Sequence, residues 1–190
     1  MIYLSSFKLS EREVHNPNIY PYNVFRGKYI EPFVFSPITI LYGNNGSGKS
    51  TILNIIANKL GLKGKEYATS NSFGNVDYCG AFSEECSYSL GEDEMGRTFR
   101  KIPDALYLLD EPEVSLSPAN QVCLAEELNK MARLLGCQFI IATHSPFMLG
   151  TLNAKIYNLD TRDYDVCKWS ELENVRYFYD FFKKHEDEFS

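Results

Sequence analysis

One turn constrains this chain more than any other feature: Gly43-Asn44-Asn45-Gly46-Ser47-Gly48-Lys49-Ser50. It follows the apolar run ITILY (residues 38–42) and opens a stretch, residues 50–60, in which Ile52, Leu53, Ile55, Ile56 and Leu60 recur at helical spacing. Gly61 then stands as a C-terminal stop. The spacing is G-x-x-x-x-G-K-[ST], a strand–turn–helix signature for gripping phosphate. Its glycines let the backbone curl so that successive N–H groups point inward, and the following helix adds its positive end. In such a turn Lys49 reaches the β- and γ-phosphates as a point charge. Ser50 offers an oxygen to Mg²⁺, and Thr51 sits beside the α-phosphate. A dinucleotide-binding G-x-G-x-x-G is excluded by position, because Gly46 and Gly48 are followed by Thr51.

Two further strand ends carry chemistry. Residues 105–109 (ALYLL) form a continuous apolar run, predicted to be a strand buried on both faces of a parallel sheet, and it closes on Asp110-Glu111-Pro112. A carboxylate at that tip holds Mg²⁺ directly or through water, which suits Asp110. Glu111 points differently and is placed to polarise a water behind the γ-phosphate, the work of a general base. Residues 139–142 form a second such strand and close on Thr143-His144-Ser145-Pro146. His144 there is placed to hydrogen-bond the γ-phosphate or the attacking water.

The remaining pattern fills in an α/β domain. Residues 2–9 and 155–159 are predicted strands, and residues 15–32 a loop punctuated by Pro17, Pro21, Gly27 and Pro32. Ser117 and Pro118 offer an N-cap and first helical position to a helix over residues 119–135, with a core stripe of Val122, Leu124, Ala125, Leu128, Met131 and Leu135. Ser170 with Glu173 predicts a capping box for a C-terminal helix carrying Val175, Phe178, Phe181 and Phe182. Residues 61–104 show little periodicity. Strands alternating with helices imply a largely parallel sheet, with ligands beyond the carboxyl ends of its strands.

Length and charge set outer bounds. The 190 residues suit one domain, 1–190. The net charge of −6 gives no positive field for a nucleic-acid backbone, though a local basic patch leaves that contact open. No apolar run approaches the roughly 20 residues needed to span a bilayer, and no signal peptide is legible, so neither membrane insertion nor export is expected. Five cysteines without a CxxC pair read as free thiols of a cytoplasmic protein.

Taken together, residues 43–51, LYLLDEPEVSLSP (106–118) and IIATHSPFML (140–149) resemble the small stand-alone ATPases of the ABC/SMC-like group, AAA-family P-loop proteins related to ABC cassettes and SMC-type heads. The resemblance implies an ABC-ATPase-like fold: a mostly parallel sheet with flanking helices, an N-terminal antiparallel β portion, and a helical subdomain reduced or absent over 61–104. It implies Walker A roles for Lys49 and Ser50, Walker B for Asp110, the catalytic glutamate for Glu111 and the switch histidine for His144. Ser115-Leu116-Ser117 resembles the D-loop, and Ser89-Leu90-Gly91-Glu92 the signature turn by which a second head touches the γ-phosphate. Tyr20 or Tyr22 is the candidate to stack on adenine. No glutamine offers itself as a Q-loop metal ligand.

The function implied is Mg²⁺-dependent hydrolysis of ATP to ADP and phosphate, with ATP holding an ATP-dependent homodimer together and an unidentified partner protein also open. Two other readings stand beside it. One is a nucleotide-gated binding module with little turnover. The other is a P-loop kinase for a small acceptor, against which the tandem Asp110-Glu111 and His144 argue, since they suit water rather than an acceptor hydroxyl.

Overall fold

The computed structural model describes residues 1–12, 14–16, 18–28, 31–62, 77–100 and 105–189. In chain order the elements are β1 (Leu4–Lys8), α1 (Tyr22–Phe25), β2 (Phe33–Val34), β3 (Ile38–Tyr42), α2 (Lys49–Leu60), α3 (Tyr78–Glu85) and β4 (Ser87–Leu90). Then come β5 (Leu106–Asp110), α4 (Pro118–Leu134), β6 (Gln138–Ala142), α5 (Pro146–Thr151), β7 (Lys155–Asn158), β8 (Val166–Cys167) and α6 (Glu173–Lys184). Short 3-10 turns at Trp169–Glu171 and Glu186–Phe189 flank α6.

The central sheet has the order β5-β6-β3-β7-β8, parallel except for the last pair. Strands β3 and β6 are buried at all five positions. Their side chains alternate between two cores, as the two-residue period of a strand demands. Leu41, Ile140 and Ala142 face one core with Ile52, Ile56 and Phe82; Ile40, Tyr42, Phe139 and Ile141 face the other with Ala125, Leu128 and Met148. A sheet covered on both faces explains the uninterrupted apolar reading of ITILY and FIIA. A second sheet, β2-β1-β4, is antiparallel and supplies the expected N-terminal β portion. Gln138, fully buried, stitches the two sheets: its Oε1 accepts from the Tyr3 and Leu4 N–H groups at 2.8 and 2.9 Å, and its Nε2 donates to the Leu4 carbonyl at 2.9 Å.

Several local expectations are corrected. Strand β5 is an edge of the central sheet rather than a strand buried on both faces; Leu106 is buried but Tyr107 is 39% exposed. Residues 15–32 contain the one-turn helix α1, whose Tyr22 and Phe25 drop into the core. Helix α4 starts as expected, with Ser117 as N-cap accepting from the Asn120 N–H and Pro118 as its first residue, but its buried face is Ala125, Leu128 and Ala132, and Leu135 lies outside it, 69% exposed. The Ser170–Glu173 capping box does not form. Glu171 instead accepts from the Lys168 N–H at 3.0 Å, closing the 3-10 turn ahead of α6.

The predicted irregular segment 61–104 lies partly outside the described residues; its described portion holds the eight-residue α3 and the strand β4. Among the described residues no helix is long and apolar enough to cross a membrane.

Candidate nucleotide site

The parallel strands β3, β5 and β6 end at one edge of the sheet, and each delivers a functional segment there. Strand β3 runs into the Gly43–Ser50 turn, β5 into Asp110-Glu111, and β6 into Thr143-His144. The backbone continues these pairings past the strand ends: the Glu111 N–H donates to the Ala142 carbonyl at 2.9 Å, and the Thr143 N–H to the Leu41 carbonyl at 3.3 Å. The three segments are therefore held in register by the sheet.

In the turn, Gly46 and Gly48 take φ of 83° and 97°, a region that excludes most side chains. A Cβ on Gly48 would also meet Val24 Cγ1 at 2.8 Å, and one on Gly43 would collide with the Ser47 hydroxyl. Gly46 is thus required by dihedral, Gly43 by space and Gly48 by both. Asp160, just beyond β7, braces the turn from outside, accepting from the Asn44 N–H at 3.0 Å and from Asn44 Nδ2 at 3.0 Å. The Ser47 hydroxyl is buried and has no protein partner. Asn44, Asn45, Gly46 and Ser50 are exposed on the lip, while Lys49 is only 5% exposed.

Lys49 bridges the turn and the acidic strand end. Its Nζ donates to the Gly43 carbonyl at 2.7 Å and the Asn44 carbonyl at 3.3 Å, and lies 3.8 Å from Glu111 Oε1. The same Glu111 oxygen is 3.3 Å from His144 Nδ1. Glu111 itself has φ of 44°, a conformation uncommon outside glycine. Its strand-end turn is what swings its carboxylate toward Lys49 and His144. The sequence-predicted Lys49, Glu111 and His144 are thus brought together from three separate elements. Asp110 and Ser50 are exposed beside them. A hydroxyl, a carboxylate and phosphate oxygens form the all-oxygen donor set that Mg²⁺ takes, with waters completing its octahedron. The residues present fit that ion.

The tyrosine candidates separate cleanly. Tyr22 is buried edge-on against Phe82, 4.9 Å between centroids, and its hydroxyl donates to Glu85. Burial, reinforced by the Glu85 charge, pushes its phenol up to about 12. It belongs to the core. Tyr20 is half-buried and its hydroxyl donates to Thr51 Oγ1 at 3.3 Å, which puts its ring beside the turn. The tetrapeptide Ser89-Leu90-Gly91-Glu92 lies along β4 and the hairpin after it, with no helix starting there. A Cβ on Gly91 would strike the Ile2 carbonyl, so this glycine has a packing reason of its own.

A buried polar network behind the site escaped the sequence reading. The Thr143 hydroxyl donates to the Glu113 carboxylate, and the Ser145 N–H donates back to Thr143 Oγ1 at 3.1 Å. The Ser145 hydroxyl donates to Gln121, whose Nε2 donates to the Leu116 carbonyl at 2.9 Å. The segments on either side of His144 and Ser115–Ser117 are thereby joined. Glu113 is only 6% exposed, and a third acid in DEPE was the one available signal. We expect Glu113→Ala, which strands a buried donor, to destabilise the chain by about 1–3 kcal/mol. Glu113→Gln, which keeps the acceptor, should lie within about 1 kcal/mol of wild type. Urea unfolding measures both.

A family model described as "AAA domain" matches residues 18–102, and one described as "AAA domain, putative AbiEii toxin, Type IV TA system" matches residues 88–150. The chain is similar to the maltose/maltodextrin import ATP-binding protein MalK of Vibrio cholerae serotype O1, with 39% identity over 66 residues; this is 35% of the chain and spans only 17% of that protein's length. A solved SMC head domain from Thermotoga maritima superposes with a TM-score of 0.46 at 15% identity, covering 83% of this chain and 94% of that one. The two domain models, which together span residues 18–150, and the import-ATPase match support a small P-loop ATPase of the ABC/SMC-like AAA kind.

Proposed function

We propose that this chain binds ATP with Mg²⁺ in the cradle Gly43, Asn44, Asn45, Gly46, Ser47, Gly48, Lys49, Ser50 and Thr51, and hydrolyses it to ADP and phosphate. The observation that carries this reading is the Glu111 carboxylate, 3.8 Å from Lys49 Nζ and 3.3 Å from His144 Nδ1. Lys49 neutralises the β- and γ-phosphates. Glu111 accepts a proton from the attacking water and orients it in line with the γ-phosphate. His144 hydrogen-bonds the γ-phosphate and the same water. Ser50 and, through water, Asp110 would hold Mg²⁺, which would supply charge neutralisation to the phosphates. Tyr20 is the residue positioned to stack on adenine.

In this reading, ATP also joins two copies head to head, with Ser115-Leu116-Ser117 crossing between them. The test is phosphate release by the purified chain. Turnover that needs Mg²⁺ and stops in EDTA supports hydrolysis; tight ATP binding with no phosphate release would overturn it. That second outcome favours a nucleotide-gated binding module. One observation supports this alternative: Ser89–Glu92, the candidate signature turn, is committed to strand and hairpin pairing.

A further inference from the structure

The phosphate turn is held from two sides, and the chemistry proposed above uses only one of them. Glu111 and His144 approach Lys49 from β5 and β6. Strand β7 lies on the other flank of β3 and pairs with it in parallel, Tyr42 opposite Asn158. The Leu159 N–H carries that pairing one step further, donating to the Tyr42 carbonyl at 2.8 Å. Asp160 follows and so arrives beside the turn. Its own N–H donates to Asn158 Oδ1 at 3.1 Å, which fixes the bend that presents it.

The Asp160 carboxylate takes both kinds of donor that Asn44 offers. The Asn44 N–H lies 3.0 and 3.1 Å from its two oxygens, and Asn44 Nδ2 donates to Oδ2 at 3.0 Å. Asn174, in the first turn of α6, donates to the remaining Asn44 Oδ1 at 3.4 Å. The Asn44 N–H therefore points out of the turn. It shares one peptide unit with the Gly43 carbonyl, and that peptide is trans. In a planar trans peptide the N–H and C=O point in opposite directions. Drawing the N–H outward turns the Gly43 carbonyl inward, where it accepts from Lys49 Nζ at 2.7 Å. Asp160, one peptide and Lys49 thus form a single line of hydrogen bonds from a carboxylate to an ammonium, in which each bond polarises the next. A carboxylate at the rim of a triphosphate site repels its ligand. What it contributes there is the orientation it imposes.

We propose that Asp160 is a positioning residue of the phosphate site: through the Gly43–Asn44 peptide it aims the Gly43 carbonyl at Lys49 and so presets the ammonium to meet the phosphates. Asp160 has this role only if residues 43–51 bind ATP as proposed above.

Titration of the purified chain with Mg-ATP, beside hydrogen exchange at the Asn44 amide of the nucleotide-free protein, tests it. Asp160→Ala should weaken binding about tenfold. The Asn44 amide should exchange several times faster than in the wild type. Asp160 is exposed, so the urea midpoint should stay near that of the wild type. Asp160→Asn keeps one acceptor oxygen for the Asn44 N–H but sets an amide NH₂ against Asn44 Nδ2, and its affinity should fall between the other two. In turnover the loss should lie in KM and leave kcat within about twofold, because bound phosphates hold the ammonium themselves. Wild-type affinity in Asp160→Ala, an Asn44 amide that exchanges no faster, or a loss of affinity that merely follows a lower urea midpoint would overturn the proposal. Tighter binding by Asp160→Asn than by the wild type would overturn it too, since charge repulsion would then outweigh orientation. A folded wild type that does not bind Mg-ATP would sink the cradle reading itself and this role with it, whereas the other results leave the cradle standing.

Discussion

Glu111→Gln should bind Mg-ATP with nearly wild-type affinity and hydrolyse it about 10²–10⁴ times more slowly. The glutamine has the size and hydrogen-bonding reach of the acid but cannot take a proton from water. Its neighbours decide how local the effect is. Lys49 keeps its bonds to the Gly43 and Asn44 carbonyls when the Glu111 charge goes, so the cradle survives. His144 keeps its place through the bonds that flank it, Thr143 to Glu113 and Ser145 to Gln121. Binding and turnover should therefore separate. Nucleotide titration beside phosphate release measures the two, and an undiminished rate in the variant would remove Glu111 from the role of base.

Lys49→Ala should lose nucleotide binding itself. The ammonium is almost fully buried and faces two carbonyls and a carboxylate, so its removal takes out the charge that meets the phosphates. Truncating one partner of a buried charged contact costs about 2–5 kcal/mol. That is about 30- to 4,000-fold in Kd. The same change releases the bonds that close the turn, so some loosening of residues 43–49 should accompany it. Full affinity in this variant would contradict the assignment of the cradle.

What was legible in the sequence was local and periodic. The strand β3, its turn and the helix α2 were readable because a Gly-rich motif, an apolar run and a 3.6-residue stripe adjoin. Ser117-Pro118 gave away the start of α4 for the same reason. The edge position of β5 was not legible, because LYLL looks the same whether one or two strands flank it; Tyr107 reveals the difference only once neighbours are known. Gln138, Glu113 and Asp160 were hidden because their partners are remote: Gln138 meets Leu4, Glu113 meets Thr143 and Asp160 meets Asn44. Buried polar side chains are placed by tertiary contacts, and no spacing rule announces them. The Ser170–Glu173 box did not form because Ser170 lies inside the 3-10 turn Trp169–Glu171, and α6 starts only at Glu173 with Leu172 as its N-cap.

The account depends on main-chain amides and a buried ammonium gripping a triphosphate at the strand ends. Isothermal titration of the purified chain with Mg-ATP addresses that grip directly. It should show saturable heat at one site per chain, lost when Mg-AMP replaces Mg-ATP. A flat thermogram with Mg-ATP from folded protein would contradict it.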